Sequence, residues 1–250
     1  MLEAKDVAFS YRRGTPVLQG VSIELAPGSF AAILGVNGCG KSTLLSCLMG
    51  LRKPDKGHVL LDGEPIQKMP RQARARKVAL VAQHSHANRL TVYDSVLVGR
   101  HPHMQGAPTT ADHAVVRDVL ARLGLSSYAL RYTDELSGGE YQKMVLARAL
   151  VQQAETLLLD EPTNNLDPAN QQEVMREVRH EVDEQGIAAC AVMHDINLAL
   201  RYCDRFLFLK DGAVDAEGGR ECVTPERIKH VYHMDADIIE HDGRPVVIPR

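Results

Sequence analysis

The chain has 250 residues, 44% of them hydrophobic, and a formal net charge of −3. That is enough for a substantial core, organised as one domain with a subdomain or at most as two domains. The slightly acidic balance argues against general nucleic-acid binding, and no apolar run approaches the ~20 residues of a membrane span.

The opening residues Met1-Leu-Glu-Ala-Lys-Asp6 are polar and lack the apolar region of a signal peptide. The five cysteines (39, 47, 190, 203 and 222) form no C-x-x-C pair and no zinc spacing. A cytosolic, reduced chain is therefore expected. Residues 2–10 and 17–25 alternate apolar with polar, as antiparallel strands do, and Tyr11-Arg-Arg-Gly-Thr-Pro16 reads as the loop between them.

The apolar run Phe-Ala-Ala-Ile-Leu at 30–34 reads as a buried parallel strand. It leads into Gly35-Val-Asn-Gly-Cys-Gly-Lys-Ser42, which fits G-x-x-x-x-G-K-[ST], the loop that wraps nucleotide phosphates. The chemistry needs these residue types. Gly35, Gly38 and Gly40 admit positive φ and close approach. Successive N–H groups and the positive end of the next helix then face phosphate oxygens. Lys41 supplies a charge to the β- and γ-phosphates, and the Ser42 hydroxyl is a magnesium ligand. Cys39 sits among those N–H dipoles beside Lys41, which favours its thiolate, so alkylation of Cys39 with protection by ATP is expected. Residues 43–49 read as a helix closed by Gly50.

Residues 58–66 read as a hairpin turned at Asp62-Gly63. The basic run Pro70-Arg-Gln-Ala-Arg-Ala-Arg-Lys77 lacks interleaved aromatics and reads as a solvated helix face. Val78-Ala-Leu-Val-Ala82 is a further buried strand, ended by Gln83. From 84 to about 150 the periodicity becomes helical, with apolar spacings of three and four over 92–98 and 114–123 and a break at 106–110. The histidines at 84, 86, 101 and 103 have no carboxylate or thiolate at ligand spacing, which favours surface residues over a metal site. Leu136-Ser-Gly-Gly-Glu140 opens a helix over 141–151.

Thr156-Leu-Leu-Leu-Asp-Glu161 is a buried strand ending in two carboxylates. In a chain with a phosphate loop, Asp160 suits the magnesium shell and Glu161 suits proton acceptance from an attacking water. Asp167-Pro168 caps a helix running to about 184. Residues 187–193 form another buried strand ending at His194, at the sheet edge where ligands gather in open α/β folds, which suits a γ-phosphate contact. A hairpin around Asp211-Gly212, a helix from Thr224 and short strands over 237–248 complete the chain.

The phosphate loop, the glutamine-ended strand, Leu136-Ser-Gly-Gly139 and the Asp-Glu and histidine strand ends stand in one order. This resembles the ATP-binding cassette family over essentially the whole chain. The resemblance implies an α/β fold: a phosphate-loop NTPase core with a mostly parallel sheet, an N-terminal antiparallel β subdomain and an inserted α-helical subdomain. The expected division is 1–83 plus 151–220 for the core, 84–150 for the helical subdomain and 221–250 for a C-terminal extension. ATP and magnesium are the implied cofactors. Tyr11 would stack on adenine, and Asn37, Gly38, Cys39, Gly40, Lys41, Ser42 and Thr43 would line the phosphates with Gly35. Ser42, Gln83 and Asp160 would form the magnesium shell, with Gln83 also sensing a membrane partner. Glu161 would be the general base, and His194 would hold the γ-phosphate. Ser137, Gly138, Gly139 and Asp167 would serve the ATP of a second copy docked head to tail.

Glu140 and Tyr141 depart from the family's usual glutamine and basic residue, and Asn164-Asn165 is a loop variant. The segment Leu90-Thr-Val-Tyr-Asp-Ser-Val-Leu-Val-Gly-Arg-His-Pro-His103 and the tail from Gly243 are similar to importers of iron siderophores, haem and cobalamin. That likeness implies a permease partner, indirectly a substrate-binding protein, no nucleic acid, and a place at the cytoplasmic membrane face. The alternatives are a soluble cassette ATPase acting on ribosomes or DNA, a motor for another cargo, and a small-molecule kinase. A kinase would have no use for the Ser-Gly-Gly helix start or for a carboxylate poised on water.

Overall fold

Alternating apolar and polar residues at the start of the chain give two long antiparallel strands, β1 (Leu2–Arg12) and β2 (Thr15–Leu25). The computed structural model describes residues 1–12, 14–82, 89–241 and 243–250. The β1–β2 register pairs Leu2 with Leu25, Ala4 with Ile23 and Val7 with Val21, so one face is apolar throughout. Both strands run into the expected 11–16 loop: Tyr11 and Arg12 belong to β1, and Arg12 pairs with Thr15.

The apolar run that follows is β3 (Phe30–Leu34), and it feeds the glycine loop and α1 (Lys41–Leu48). Gly40 caps α1 in a left-handed conformation, so the helix begins two residues before Thr43. Next come β4 (Lys56–Leu61) and β5 (Glu64–Pro65), the hairpin turned at Asp62-Gly63. After these lies α2 (Arg71–Lys77), none of whose residues is buried. Strand β6 (Val78–Val81) ends short of Gln83, which lies outside the described residues together with His84, His86 and Asn88.

Among the described residues, three α-helices lie between β6 and the next strand: α3 (Val92–Leu97), α4 (Thr110–Arg122) and α5 (Gly138–Leu150). Helices α4 and α5 begin earlier than their apolar periodicity suggests. Thr109–Asp112 and Ser137–Glu140 form capping boxes that satisfy the first N–H groups. Arg100 pins this region from within: its Nε lies 2.9 Å from Asp112 Oδ1, and its Nη1 donates to Val151 O at 2.7 Å.

The core resumes with β7 (Thr156–Asp160), α6 (Pro168–Gln185), β8 (Ala188–Val192), α7 (Ile196–Tyr202), β9 (Arg205–Lys210) and β10 (Ala213–Gly218). Helix α8 (Pro225–Tyr232) and the hairpin β11 (Ala236–His241) and β12 (Arg244–Pro249) end the chain.

The strands form two main sheets. One is antiparallel, in the order β2-β1-β4-β5; the other is six-stranded, in the order β10-β9-β3-β8-β7-β6. In the second sheet β9, β3, β8, β7 and β6 run parallel, and β10 closes one edge antiparallel. The near-continuous apolar strands follow from burial on both faces. Phe30, Ala32 and Leu34 join the helical side with Leu157, Leu159, Ala189 and Ala191. Ala31 and Ile33 join α1 and the antiparallel sheet with Leu158, Cys190 and Val192. In β3, Phe30, Ile33 and Leu34 are each 0% exposed. Burying such a side chain contributes roughly 1.5–3 kcal/mol. The glycine loop therefore leaves a strand that cannot shift register.

Candidate nucleotide-binding site

The carboxyl ends of β3, β7 and β8 lie side by side, and the loops leaving them enclose one cleft of about 690 Å³. Tyr11, Asn37, Gly38, Gly40, Lys41, Ser42, Thr43, Glu161 and His194 all line it. Gly35, Cys39 and Asp160 are not part of that lining. Gly35, Gly38 and Gly40 have φ of 151°, 81° and 107°, the positive values a phosphate cradle requires. Two of these glycines are also needed for space. A Cβ would lie 2.3 Å from Leu209 O at Gly35 and 2.8 Å from Val17 O at Gly40.

Lys41 is only 5% exposed. Its ammonium donates to Gly35 O at 2.8 Å and Val36 O at 3.0 Å. The Ser42 hydroxyl donates to Asp160 Oδ1 at 2.9 Å. Burial pushes the Asp160 carboxyl above its usual range, against the opposing Ser42 hydrogen bond. The hydroxyl and carboxylate oxygens are the hard donors that suit magnesium.

Glu161 has φ of 51°, a left-handed conformation disfavoured for a side-chain-bearing residue. Its N–H donates to Val192 O at 3.2 Å, which holds the strand end down. Its side chain is clasped at both oxygens: Oε1 lies 2.7 Å from His194 Nε2, and Asn164 Nδ2 donates to Oε2 at 3.0 Å. A carboxylate fixed in a cleft above a phosphate cradle can orient a water and take its proton. Asn164 also lines the cleft. In the sequence Asn164 reads only as part of a loop variant; its spacing of three from Glu161 is the available signal.

Tyr11 is 56% exposed, and its hydroxyl lies 3.2 Å from Thr43 Oγ1. Phe9 packs edge-on at 5.0 Å, and the Arg52 guanidinium lies 5.1 Å over the ring. No local pattern flagged Arg52. Base–aromatic stacking is worth roughly 1–3 kcal/mol, and this exposed ring falls at the low end. Tyr11→Ala is therefore expected to weaken ATP binding several-fold while Tyr11→Phe retains it, measured by titration. Equal affinities would leave Tyr11 as an ordinary strand-end aromatic.

The expectation of a reactive thiolate at Cys39 is overturned. Cys39 is 5% exposed, and burial raises its thiol by more than Lys41 and the loop N–H groups lower it. Ser137, Gly138, Gly139 and Asp167 are absent from the cleft lining. Ser137 caps α5 and, like Gly138, is exposed; its N–H donates to Glu140 Oε2 at 2.8 Å. Gly139 packs against Asn170, which a Cβ would meet at 2.7 Å. Asp167 caps α6, accepting from Ala169 N at 3.0 Å and Asn170 N at 3.1 Å.

A family model described as ABC transporter matches residues 18–164. The chain belongs to the ABC transporter family. It is an ATPase of that family, and its phosphate loop and the two strand-end carboxylates fall inside the matched region. An uncharacterised ABC transporter ATP-binding protein of Methanocaldococcus jannaschii is 49% identical over 249 residues, covering 100% of this chain and 98% of the relative. A hemin import ATP-binding protein of Bordetella avium is 38% identical, covering 96% of this chain and 95% of the relative. Among solved structures, an inward-facing metal-chelate type ABC transporter superposes with a TM-score of 0.85 at 28% identity, covering 100% of this chain and 96% of that one. A dimeric cassette in a post-hydrolysis state with ADP and Pi gives 0.80 at 29% identity, covering 88% and 98%.

Proposed function

We propose that this ABC ATPase powers import of a metal chelate, of the group comprising iron siderophores, haem and cobalamin, through a separate membrane permease. The observation that carries the cargo class is end-to-end likeness. The hemin import relative and the metal-chelate type transporter both align over nearly the whole chain, including the C-terminal extension. Among the described residues no helix is long and apolar enough to cross a membrane, so this reading requires another chain to provide the pathway.

In this reading the phosphate loop N–H groups and Lys41 hold the β- and γ-phosphates, and Tyr11 carries the adenine. Glu161 orients and deprotonates the attacking water, and His194 sits beside it to contact the γ-phosphate. Magnesium, held by Ser42 and Asp160 with Gln83 as the further ligand implied by the family resemblance, would neutralise phosphate charge. The cleft binds ATP from one side only. The capping box takes up the N–H groups of Ser137 and Glu140, so in this reading the first turn of α5 offers an anion those of Gly138 and Gly139, elsewhere on the surface. A second copy docked head to tail would place its Ser137-Gly-Gly139 over the open γ-phosphate, with Asp167 at the same interface. Closure on ATP and reopening after hydrolysis would then drive the permease.

Purification from native membranes should recover the chain with a polytopic permease. Deleting it should abolish ATP-dependent uptake of haem, a ferric siderophore or cobalamin by cells. Recovery with ribosomal or DNA-repair proteins would overturn the transport reading. Loss of uptake of an unrelated cargo would refute the chelate assignment alone.

A further inference from the structure

The first residue of the phosphate loop is gripped from outside the motif. The Gly35 N–H donates to the Tyr232 hydroxyl at 2.9 Å, across 197 positions of sequence. Tyr232 is the last residue of α8, and burial raises its phenol above the usual tyrosine range. Gly35 is closely packed at its Cα, where a Cβ would lie 2.3 Å from Leu209 O and 2.8 Å from Cys39 Sγ. Its carbonyl, on the other side of the same residue, accepts from Lys41 Nζ at 2.8 Å. One hydroxyl therefore fixes the residue on which the phosphate-binding lysine rests.

The anchor is itself rigid. Ile228 and Val231 of α8 are each 0% exposed. Thr224 caps the helix, Arg227 Nε reaches Asp215 Oδ2 at 3.2 Å, and Lys210 donates to His230 O at 2.9 Å. The same C-terminal segment also holds α7, the helix that follows His194. Asn197 exchanges two hydrogen bonds with Val247 of β12, at 3.0 and 2.8 Å.

We propose that Tyr232 is a positioning residue of the nucleotide site, whose hydroxyl orients Gly35 and through it sets Lys41 for the ATP phosphates. This rests on the reading of the cleft as the ATP site. The C-terminal segment is then part of the nucleotide machinery, and displacement of α8 changes affinity for ATP.

Tyr232→Phe keeps the partly buried ring and removes only the hydroxyl. Loss of one hydrogen bond corresponds to about a three- to tenfold change. The variant's dissociation constant and KM for ATP should rise by about that factor, while kcat at saturating ATP stays within about twofold. The melting temperature without nucleotide should fall by no more than a few degrees. A structural role alone would do the reverse, lowering the melting temperature and kcat with KM unchanged, and that outcome overturns the proposal. Unchanged affinity and KM overturn it equally. Lys41→Met separates the two levels. If it binds ATP like the wild type, the reading of the cleft is wrong. If it loses ATP while Tyr232→Phe is silent, the cleft stands and only the positioning role falls.

Discussion

Glu161→Gln is expected to bind ATP normally and to hydrolyse it ~100- to 10,000-fold more slowly, the range spanned by general-base catalysis. The amide has the shape of the carboxylate, so the clasp by His194 at 2.7 Å and Asn164 at 3.0 Å needs only local rearrangement. What disappears is the capacity to accept a proton. Binding energy from the phosphate loop should be untouched, since in the proposed reading Gly38, Gly40, Lys41 and Ser42 would meet the phosphates and magnesium rather than the attacking water. With hydrolysis blocked, the ATP-bound form should accumulate as a dimer, visible by light scattering at saturating ATP. Turnover near the wild-type rate would remove Glu161 from the role of base and direct attention to another group in the cleft. The left-handed backbone at Glu161 supports a functional demand, because strain of this kind persists where surrounding structure holds it in place.

Much of this geometry was legible in the sequence because it is local. The apolar runs of β3, β7 and β8 announce burial on both faces, and a strand–glycine–helix order leaves one place for the phosphate cradle. Two carboxylates at the end of β7 and a histidine at the end of β8 could be assigned to the same sheet edge without knowing the strand order. What periodicity could not supply is adjacency. Nothing near β3 says that β8 and β9 flank it, nor that Arg52 covers the ring of Tyr11. The capping boxes at Thr109 and Ser137 extend α4 and α5 beyond their apolar stripes, because polar side chains satisfy N–H groups that periodicity ignores. Cys39 misled for a related reason. Its chain neighbours are cationic or N–H dipoles, which argue for a thiolate, but its spatial neighbours bury it, and desolvation wins. The bond from Gly35 to Tyr232 joins segments at opposite ends of the chain, and no motif spans them.

Lys41→Met should abolish useful ATP binding while leaving a folded protein. Methionine keeps most of the aliphatic stem, so the largely buried position is not emptied. The losses are the charge and the donors. Gly35 O and Val36 O each lose a partner, at a cost of at most ~1–3 kcal/mol apiece where they stay dry. Each charged hydrogen bond to phosphate is worth ~1.5–3 kcal/mol, or roughly 10- to 150-fold in affinity. Turnover falls further, since a preorganised donor aimed at developing charge contributes ~100- to 1,000-fold. Thermal melting with and without ATP checks both effects together. At 100 times its dissociation constant, ATP should stabilise the wild type by about 2.7 kcal/mol. If Lys41→Met weakens binding ~100-fold, the same concentration leaves only about 0.4 kcal/mol. The nucleotide-free melting temperature should move by a few degrees, and the ATP-induced rise should nearly vanish. A variant that keeps the full rise would show that the phosphates are held by loop N–H groups alone, and Lys41 would become a structural plug for the carbonyls of its own loop.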